Sequence, residues 1–435
     1  MEEIGRLLHI RGAEVLCPET RLNGVQSLWV RDGILLPGDP GEEVDTVIDA
    51  KGLLAVPGFI EFHAHLREPG FTESETVATG LAAALSGGYT AVFAMANTRP
   101  PNDHPDVTRA MLLAAKVSGL PVRLYPVAAA TRGLLGKEPA DYVAQRSAGA
   151  RAVSDDGFPL LDDAVMAECM RRAAGAGLPI LDHATHGPAS GKGVMHDGPA
   201  ARALGFAGLR REEEDDLIQR DVRLVRETGH AIHIQHISTA GGVDAVRQAK
   251  AEGLPVTAEA APHHLLLTDL DVRGPGQKMN PPLREIEDRR AVIDGLRDGT
   301  VDVIATDHAP HATVLKERGM LKAPFGVIGM ESAFPALYTG LVETGKLSLA
   351  ALVGALTAKV ARIARVPGGV LAPGLPAEIN LLDLKTPFSL RAEDLSSKSE
   401  NCPFLGREVR GRVIATVLGG KLMIRERERF SNRGM

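Results

Sequence analysis

Through the middle of this 435-residue chain, two textures of apolar and polar positions take turns. Short runs rich in β-branched and aromatic residues fall at 56–62, 89–97, 122–130, 150–155, 179–183, 231–238, 255–260 and 301–307. Between most of them lie Ala-, Leu- and Arg-rich stretches with helical spacing, such as 75–86 and 164–176. Gly-Leu-Pro recurs at Gly119, Gly177 and Gly253, each time where a helical stretch gives way to a strand. Gly favours the left-handed helix stop and Pro cannot continue the helix, so these are αβ loops. Eight strands alternating with helices over about 250 residues predict a (β/α)8 TIM-type barrel, placed at residues 56–368. A doubly wound sheet would call for a Gly-rich GxGxxG turn after the first strand, and none is present.

The flanks have another texture. Residues 1–55 read as short alternating strands with turns at Arg31-Asp32-Gly33 and Pro37-Gly38-Asp39. The same texture returns from Gly369 onward, at 377–384 and 409–418, with Gly419-Gly420 as a turn signal. Neither flank has enough strand for a stable sheet alone. Together, 1–55 and 369–435 are expected to form one small β-domain, with the barrel inserted between its halves.

Composition narrows the picture without adding chemistry. Hydrophobic residues make up 44% and charged residues 24%, and 49 basic against 55 acidic residues give a net charge of -6. That balance offers no reason to propose nucleic acid or an anionic membrane as partner. No apolar stretch reaches the roughly 20 residues of a membrane span, and Met1-Glu2-Glu3 does not open a secretory signal. A cytoplasmic enzyme is the simplest expectation. Cys17, Cys169 and Cys402 are far apart and suggest neither a disulfide framework nor a thiolate metal site. The acidic run Glu212-Glu213-Glu214-Asp215-Asp216 reads as a solvated helix start, and residues 425–435 as a fraying tail.

The chemistry lies where the strands end, because a barrel of this kind carries its site at the C-terminal ends of its strands. The first ends in His63-Ala64-His65, the fourth in Asp155-Asp156, the fifth in His183, the sixth in His236 and the eighth in Asp307. A two-residue spacing puts His63 and His65 on one face, able to share an ion. Imidazole and carboxylate without thiolate suit a catalytic zinc or a similar divalent ion. His233 should alternate to the face opposite His236 and point toward the helices. His9, His104, His186, His196, His230 and His263 have no strand-end partner in the sequence.

These residues carry a resemblance. The segment Pro57-Gly58-Phe59-Ile60-Glu61-Phe62-His63-Ala64-His65-Leu66-Arg67-Glu68-Pro69-Gly70 resembles the signature of the amidohydrolase superfamily in its dihydroorotase version. Ala305-Thr306-Asp307-His308-Ala309-Pro310-His311 resembles that family's second signature. Met95-Ala96-Asn97-Thr98, Ser154-Asp155-Asp156-Gly157, Gln235-His236-Ile237-Ser238 and Asn280-Pro281-Pro282-Leu283-Arg284 fall between them in family order. From about residue 50 onward the chain is most similar to the long bacterial, type I members.

The resemblance implies one or two zinc ions per subunit. His63, His65 and Asp307 would hold one, His183 and His236 a second, with Asp155 bridging both. Arg67, Asn97 and His311 would bind a substrate α-carboxylate, and Asn280 the ring or its ureido group. It also implies the reversible cyclisation of N-carbamoyl-L-aspartate to L-dihydroorotate in pyrimidine biosynthesis. Metal-activated water would be the nucleophile and Asp307 the acid and base. A homodimer and a complex with aspartate transcarbamoylase stay open. Two departures stand out: Glu61 replaces the usual Asp, and Ala184-Thr185 follows His183 in place of Glu-Asp or Glu-Asn. Rival readings are a hydantoinase or allantoinase, and a non-catalytic subunit of aspartate transcarbamoylase. The Leu66-Arg67-Glu68-Pro69-Gly70 run argues against the first, and the full set of expected ligands against the second.

Overall fold

The computed structural model describes residues 2–3, 6–20, 22–186 and 193–424, so the expected fraying of 425–435 lies outside the described residues. Eight parallel strands form the central element: β1 (Phe59–Ala64), β2 (Tyr89–Ala94), β3 (Arg123–Ala128), β4 (Ala152–Val153), β5 (Leu181–Asp182), β6 (Ile232–Ile234), β7 (Val256–Ala260) and β8 (Val303–Ile304). They pair consecutively in two four-stranded arcs, β1 to β4 and β5 to β8. Parallel bridges between Val153 and Ile180, and between Ala64 and His308, join the arcs into a closed barrel.

Alternation along each strand decides which side chains fill the barrel. Ile60, Phe62, Ala91, Phe93, Val127, Ala152, Leu181 and Val303 pack together inside. Their neighbours Phe59, Val92, Val153, Ile232, Ile234 and Val256 belong to the core shared with the helices. The helix stops fall as expected, with Gly119, Gly177 and Gly253 at φ of 68°, 67° and 77°. Asp162 caps the helix Asp163–Ala176 by accepting from the amides of Ala164 and Val165.

A nine-stranded sheet draws on both ends of the chain. Ile379–Asp383 pairs on one side with Leu54–Pro57 and on the other with Arg412–Leu418, while Leu7–Cys17 pairs with Leu54–Pro57, Thr46–Asp49 and Leu22–Arg31. Its apolar core holds Leu8, Ile10, Val15, Ile48, Ile379, Ile414 and Val417.

Three local readings change. The run at 56–62 is divided between two sheets at Gly58, where a Cβ would collide with the side chain of Thr90. Residues 388–409 leave the terminal sheet. They form a small pair, Phe388–Ser389 with Glu408–Val409, and pack Leu390, Cys402 and Phe404 against Met279, Leu283 and Val327. Finally, the acidic run does open the helix Glu212–Thr228, but Glu214 is buried rather than solvated. It pairs with Arg284 at 3.2 Å and accepts from the Ser238 amide at 2.7 Å.

Candidate active site

Six strand-end side chains converge at the C-terminal mouth of the barrel. In β1 a register irregularity between Glu61 and Ala64 interrupts the alternation that buries Ile60 and Phe62 inside. Such a bulge re-aims the strand end, and His63 and His65 both face the barrel axis. Glu61 faces elsewhere: its carboxylate accepts from the amides of His63 and Thr306, each at 2.9 Å. It thereby ties the end of β1 to the residue before Asp307, and acts on the site through the backbone. Burial pushes its pKa up to about 8, against the two amides that favour the carboxylate.

The carboxylate expected between the two groups of histidines is the neighbour of the one anticipated. Ala152 faces the barrel interior and Val153 the helices. By the same alternation Ser154 and Asp156 turn inward and Asp155 outward. Asp155 accepts from the amide of Thr131 at 2.9 Å and from its hydroxyl, and holds a loop. Burial raises the Asp155 pKa to about 6, with the Thr131 bonds opposing. Asp156 instead sits at the centre. Its Oδ2 lies 3.2 Å from His65 Nε2, and its Oδ1 lies 3.3 Å from His63 Nε2, 3.2 Å from His183 Nδ1 and 3.5 Å from His236 Nε2. Asp307 Oδ1 closes the other side, 3.0 Å from His65 Nε2 and 3.6 Å from His63 Nε2. The correction is therefore Asp156 for Asp155.

The electrostatics and geometry of these groups are those of a set that could hold a cation. Burial alone would push Asp156 and Asp307 toward the neutral acid. The surrounding imidazoles outweigh it and hold both well below the usual carboxylate range. His63 Nδ1 faces the Glu259 carboxylate at 2.7 Å, which places a hydrogen on that nitrogen and leaves Nε2 facing the site. His63 Nε2 and Asp156 Oδ1 are buried, face each other and have no hydrogen-bond partner. Unpartnered buried polar atoms are costly, and a divalent ion between them would remove the cost. Two residue groups have ligand atoms mutually close enough to share an ion: His63, His65 and Asp307, and His63, Asp156 and His236. His183 lies beside the second group, with Nδ1 2.7 Å from His236 Nε2.

The cavity above these residues has a volume of about 240 Å³. Asn97, His183, His186, Asn280, Phe325 and Gly326 line it, as do Arg67 and His311. His311 Nε2 donates to the Phe325 carbonyl at 2.7 Å, so the Arg67 Nη2 3.3 Å away finds no acceptor there. Arg67 Nε donates to the Pro310 carbonyl at 3.0 Å, which leaves the terminal nitrogens to a ligand. Burial, reinforced by Arg67, pushes His311 down to about 3, a neutral ring at pH 7. Asn97 accepts from His65 Nδ1 at 2.8 Å, and the Asn280 side-chain amide lies 3.0 Å from His183 Nε2. Both therefore orient histidines as well as lining the cavity.

Three of these positions have left-handed backbone: Arg67, His236 and Asp307, at φ of 60°, 33° and 48°. Each costs about 1–3 kcal/mol for a non-glycine residue, and such costs gather where function fixes the geometry. The turn at His236 also bears on His233. Because alternation stops there, His236 can face the site although His233, alternating with the outward Ile232 and Ile234, points into the barrel, 4.9 Å from the Phe62 ring and hydrogen bonded to Glu259 at 3.1 Å, rather than toward the helices. Sequence reading missed Glu259. Its signal was a carboxylate within a short strand, Val256–Ala260, that is otherwise uncharged.

A closed parallel barrel with paired imidazole and carboxylate groups at its strand ends defines a hydrolase of the amidohydrolase type. Comparison with known proteins agrees. The dihydro-orotase-like family matches residues 52–241. The dihydroorotase of Anaeromyxobacter dehalogenans (strain 2CP-C) is 44% identical over 97% of this chain and 98% of its own. That of Geobacillus sp. (strain WCH70) is 45% identical over 88% of this chain and 90% of its own. Among solved structures, the L-hydantoinase from Arthrobacter aurescens superposes with a TM-score of 0.82, at 25% identity and 96% coverage of both chains. The dihydropyrimidinase from Brevibacillus agri NCHU1002 shares the fold, with a TM-score of 0.79 at 22% identity over 96% of this chain and 95% of its own. The chain belongs to the dihydroorotase family. No helix among the described residues is long and apolar enough to cross a membrane.

Proposed function

We propose that this protein is a zinc-dependent dihydroorotase that interconverts N-carbamoyl-L-aspartate and L-dihydroorotate in the cytoplasm, as a step of pyrimidine synthesis. The observation that carries the reading is the adjacency of two devices in one small cavity. One is a nest of buried histidine and carboxylate ligands; the other is a guanidinium, Arg67, with its terminal nitrogens available. A cyclic amide bearing a carboxylate needs both.

The donor set fits zinc. His63, His65 and Asp307 would hold one ion, His183 and His236 a second, and Asp156 would lie between them. Bound zinc would lower the pKa of water toward about 7 and polarise the scissile carbonyl. The remaining work falls to the chain. Arg67 can grip the ring carboxylate in the charge-assisted, two-pronged geometry that suits carboxylates, with Asn97 and His311 beside it. That grip orients the ring amide over the ligand nest.

Asp307, held ionised by its histidines, is a base at neutral pH. In hydrolysis it takes a proton from the attacking water and returns it to the ring nitrogen as the C–N bond breaks. In cyclisation it removes the ureido proton, and the side-chain carboxylate of carbamoyl-aspartate loses an oxygen as water. The test compares wild-type turnover of dihydroorotate with that of dihydrouracil and hydantoin, with zinc content measured on the same sample. A strong preference for dihydroorotate is expected. A preference for either neutral ring would promote the hydantoinase reading.

A further inference from the structure

The barrel interior just beneath the site is not purely apolar, and the exception forms a line. His63 Nδ1 meets Glu259 Oε1 at 2.7 Å, and Glu259 Oε2 meets His233 Nε2 at 3.1 Å. His233 Nδ1 in turn meets the Thr257 hydroxyl at 2.8 Å. The register explains the alignment. His233 and Thr257 are Cα partners between β6 and β7, and Glu259 follows Thr257 by two residues on the same face. Glu259 and His233 are 1% and 2% exposed, and neither lines the substrate cavity. Burying a carboxylate inside the barrel, on a strand paired with Val303, costs free energy unless it is paired and hydrogen bonded. An apolar side chain at 259 would fill that layer without the cost. Packing therefore does not account for Glu259.

The hydrogen-bond directions do. A carboxylate can only accept, so both facing ring nitrogens carry hydrogens: Nδ1 on His63 and Nε2 on His233. The Thr257 hydroxyl then donates to His233 Nδ1, which fixes the second ring as firmly as the first. Resting on the zinc reading above, we infer that Glu259 and His233 are positioning residues for the metal. Glu259 locks His63 in the one tautomer and rotation that present Nε2 to the ion, and His233 holds Glu259 in place. Loss of such an outer carboxylate typically weakens metal binding 10–100-fold.

The experiment is a zinc competition titration against a chromophoric chelator, with the melting temperature of the metal-stripped protein recorded in parallel. Glu259→Gln is expected to bind zinc 10–100-fold more weakly than wild type. His233→Phe, which keeps the aromatic packing on Phe62 but removes the hydrogen bond, is expected to weaken binding less, by several-fold. His233→Gln restores a donor near the position of Nε2 and should return affinity to near wild type. A purely structural role would lower the melting temperature of the stripped variants and leave zinc affinity, and its rescue, unmoved.

Unchanged zinc affinity in Glu259→Gln overturns the inference. If that variant does not fold, the His233 pair decides, and equal affinities for His233→Phe and His233→Gln overturn it. A wild-type protein that takes up no zinc overturns instead the metal reading on which the inference rests, so the two failures are told apart.

Discussion

Asp155 and Asp156 are adjacent and chemically identical, yet the fold gives them opposite fates, and exchanging each for asparagine separates them. The Asp156 carboxylate lies 3.2–3.5 Å from four imidazole nitrogens and is buried. Asp156→Asn keeps the volume and removes the charge. Breaking a buried charge pair from one side costs about 3–5 kcal/mol. At about 1.4 kcal/mol per decade, that corresponds to a loss of roughly 10²- to 4 × 10³-fold in metal affinity. The variant should leave gel filtration with little zinc and turn over carbamoyl-aspartate at least about 10²-fold more slowly.

Asp155→Asn removes charge from a carboxylate that faces the amide and hydroxyl of Thr131 and no metal-site histidine. Hydrogen bonds to a charged group contribute about 1.5–3 kcal/mol, and an asparagine oxygen still accepts one of the two. The expected result is a lowered urea midpoint, full zinc content and near-normal turnover at 25 °C. Zinc by atomic emission, urea unfolding and the colorimetric carbamoyl-aspartate assay on the same preparations decide the matter. If Asp155→Asn loses its zinc while Asp156→Asn keeps it, the inward and outward assignment is wrong.

Three further outcomes follow from the same geometry. Arg67→Met should keep zinc and stability but raise KM for dihydroorotate steeply and lower kcat, since a charge-assisted pair of about 1.5–3 kcal/mol goes with the orientation it gives. Equal losses on dihydrouracil, measured side by side, would mean that Arg67 supports the fold instead. Asp307→Asn should reduce turnover by at least about 10²-fold, the usual worth of a positioned acid–base group; near-normal rates at normal zinc content would remove its proton-transfer role. His63→Ala and His65→Ala should each lose zinc and nearly all turnover while far-ultraviolet circular dichroism stays that of the folded barrel. Retention of full metal content in either would dissolve the ligand assignment.

The sequence by itself determined the architecture and the address of the chemistry. The alternation of eight strand-like runs with helical stretches, stopped by Gly119, Gly177 and Gly253, is local information. Each element depends on its own periodicity and its own stop. The barrel's rule that chemistry sits at strand ends then picked out His63, His65, His183, His236 and Asp307, and the cavity brings them together with Arg67, Asn97, Asn280 and His311. What the tertiary structure decided is which way a side chain faces at and near the strand ends. Asp156 rather than Asp155 turns inward because the alternation of Ala152 and Val153 carries on past the strand end, in a register set by β3 and by the bridge to Ile180. His233 turns inward by alternation with Ile232 and Ile234, and His236 faces the site out of that phase because the chain bends there, at φ of 33°. Glu61 grips two amides, and Glu259 reaches His63, because strands 1, 7 and 8 are neighbours only in the closed barrel. Periodicity is written residue by residue. A bulge, a left-handed turn or a bond between residues 196 apart arises from the balance of packing and hydrogen bonding over the whole fold.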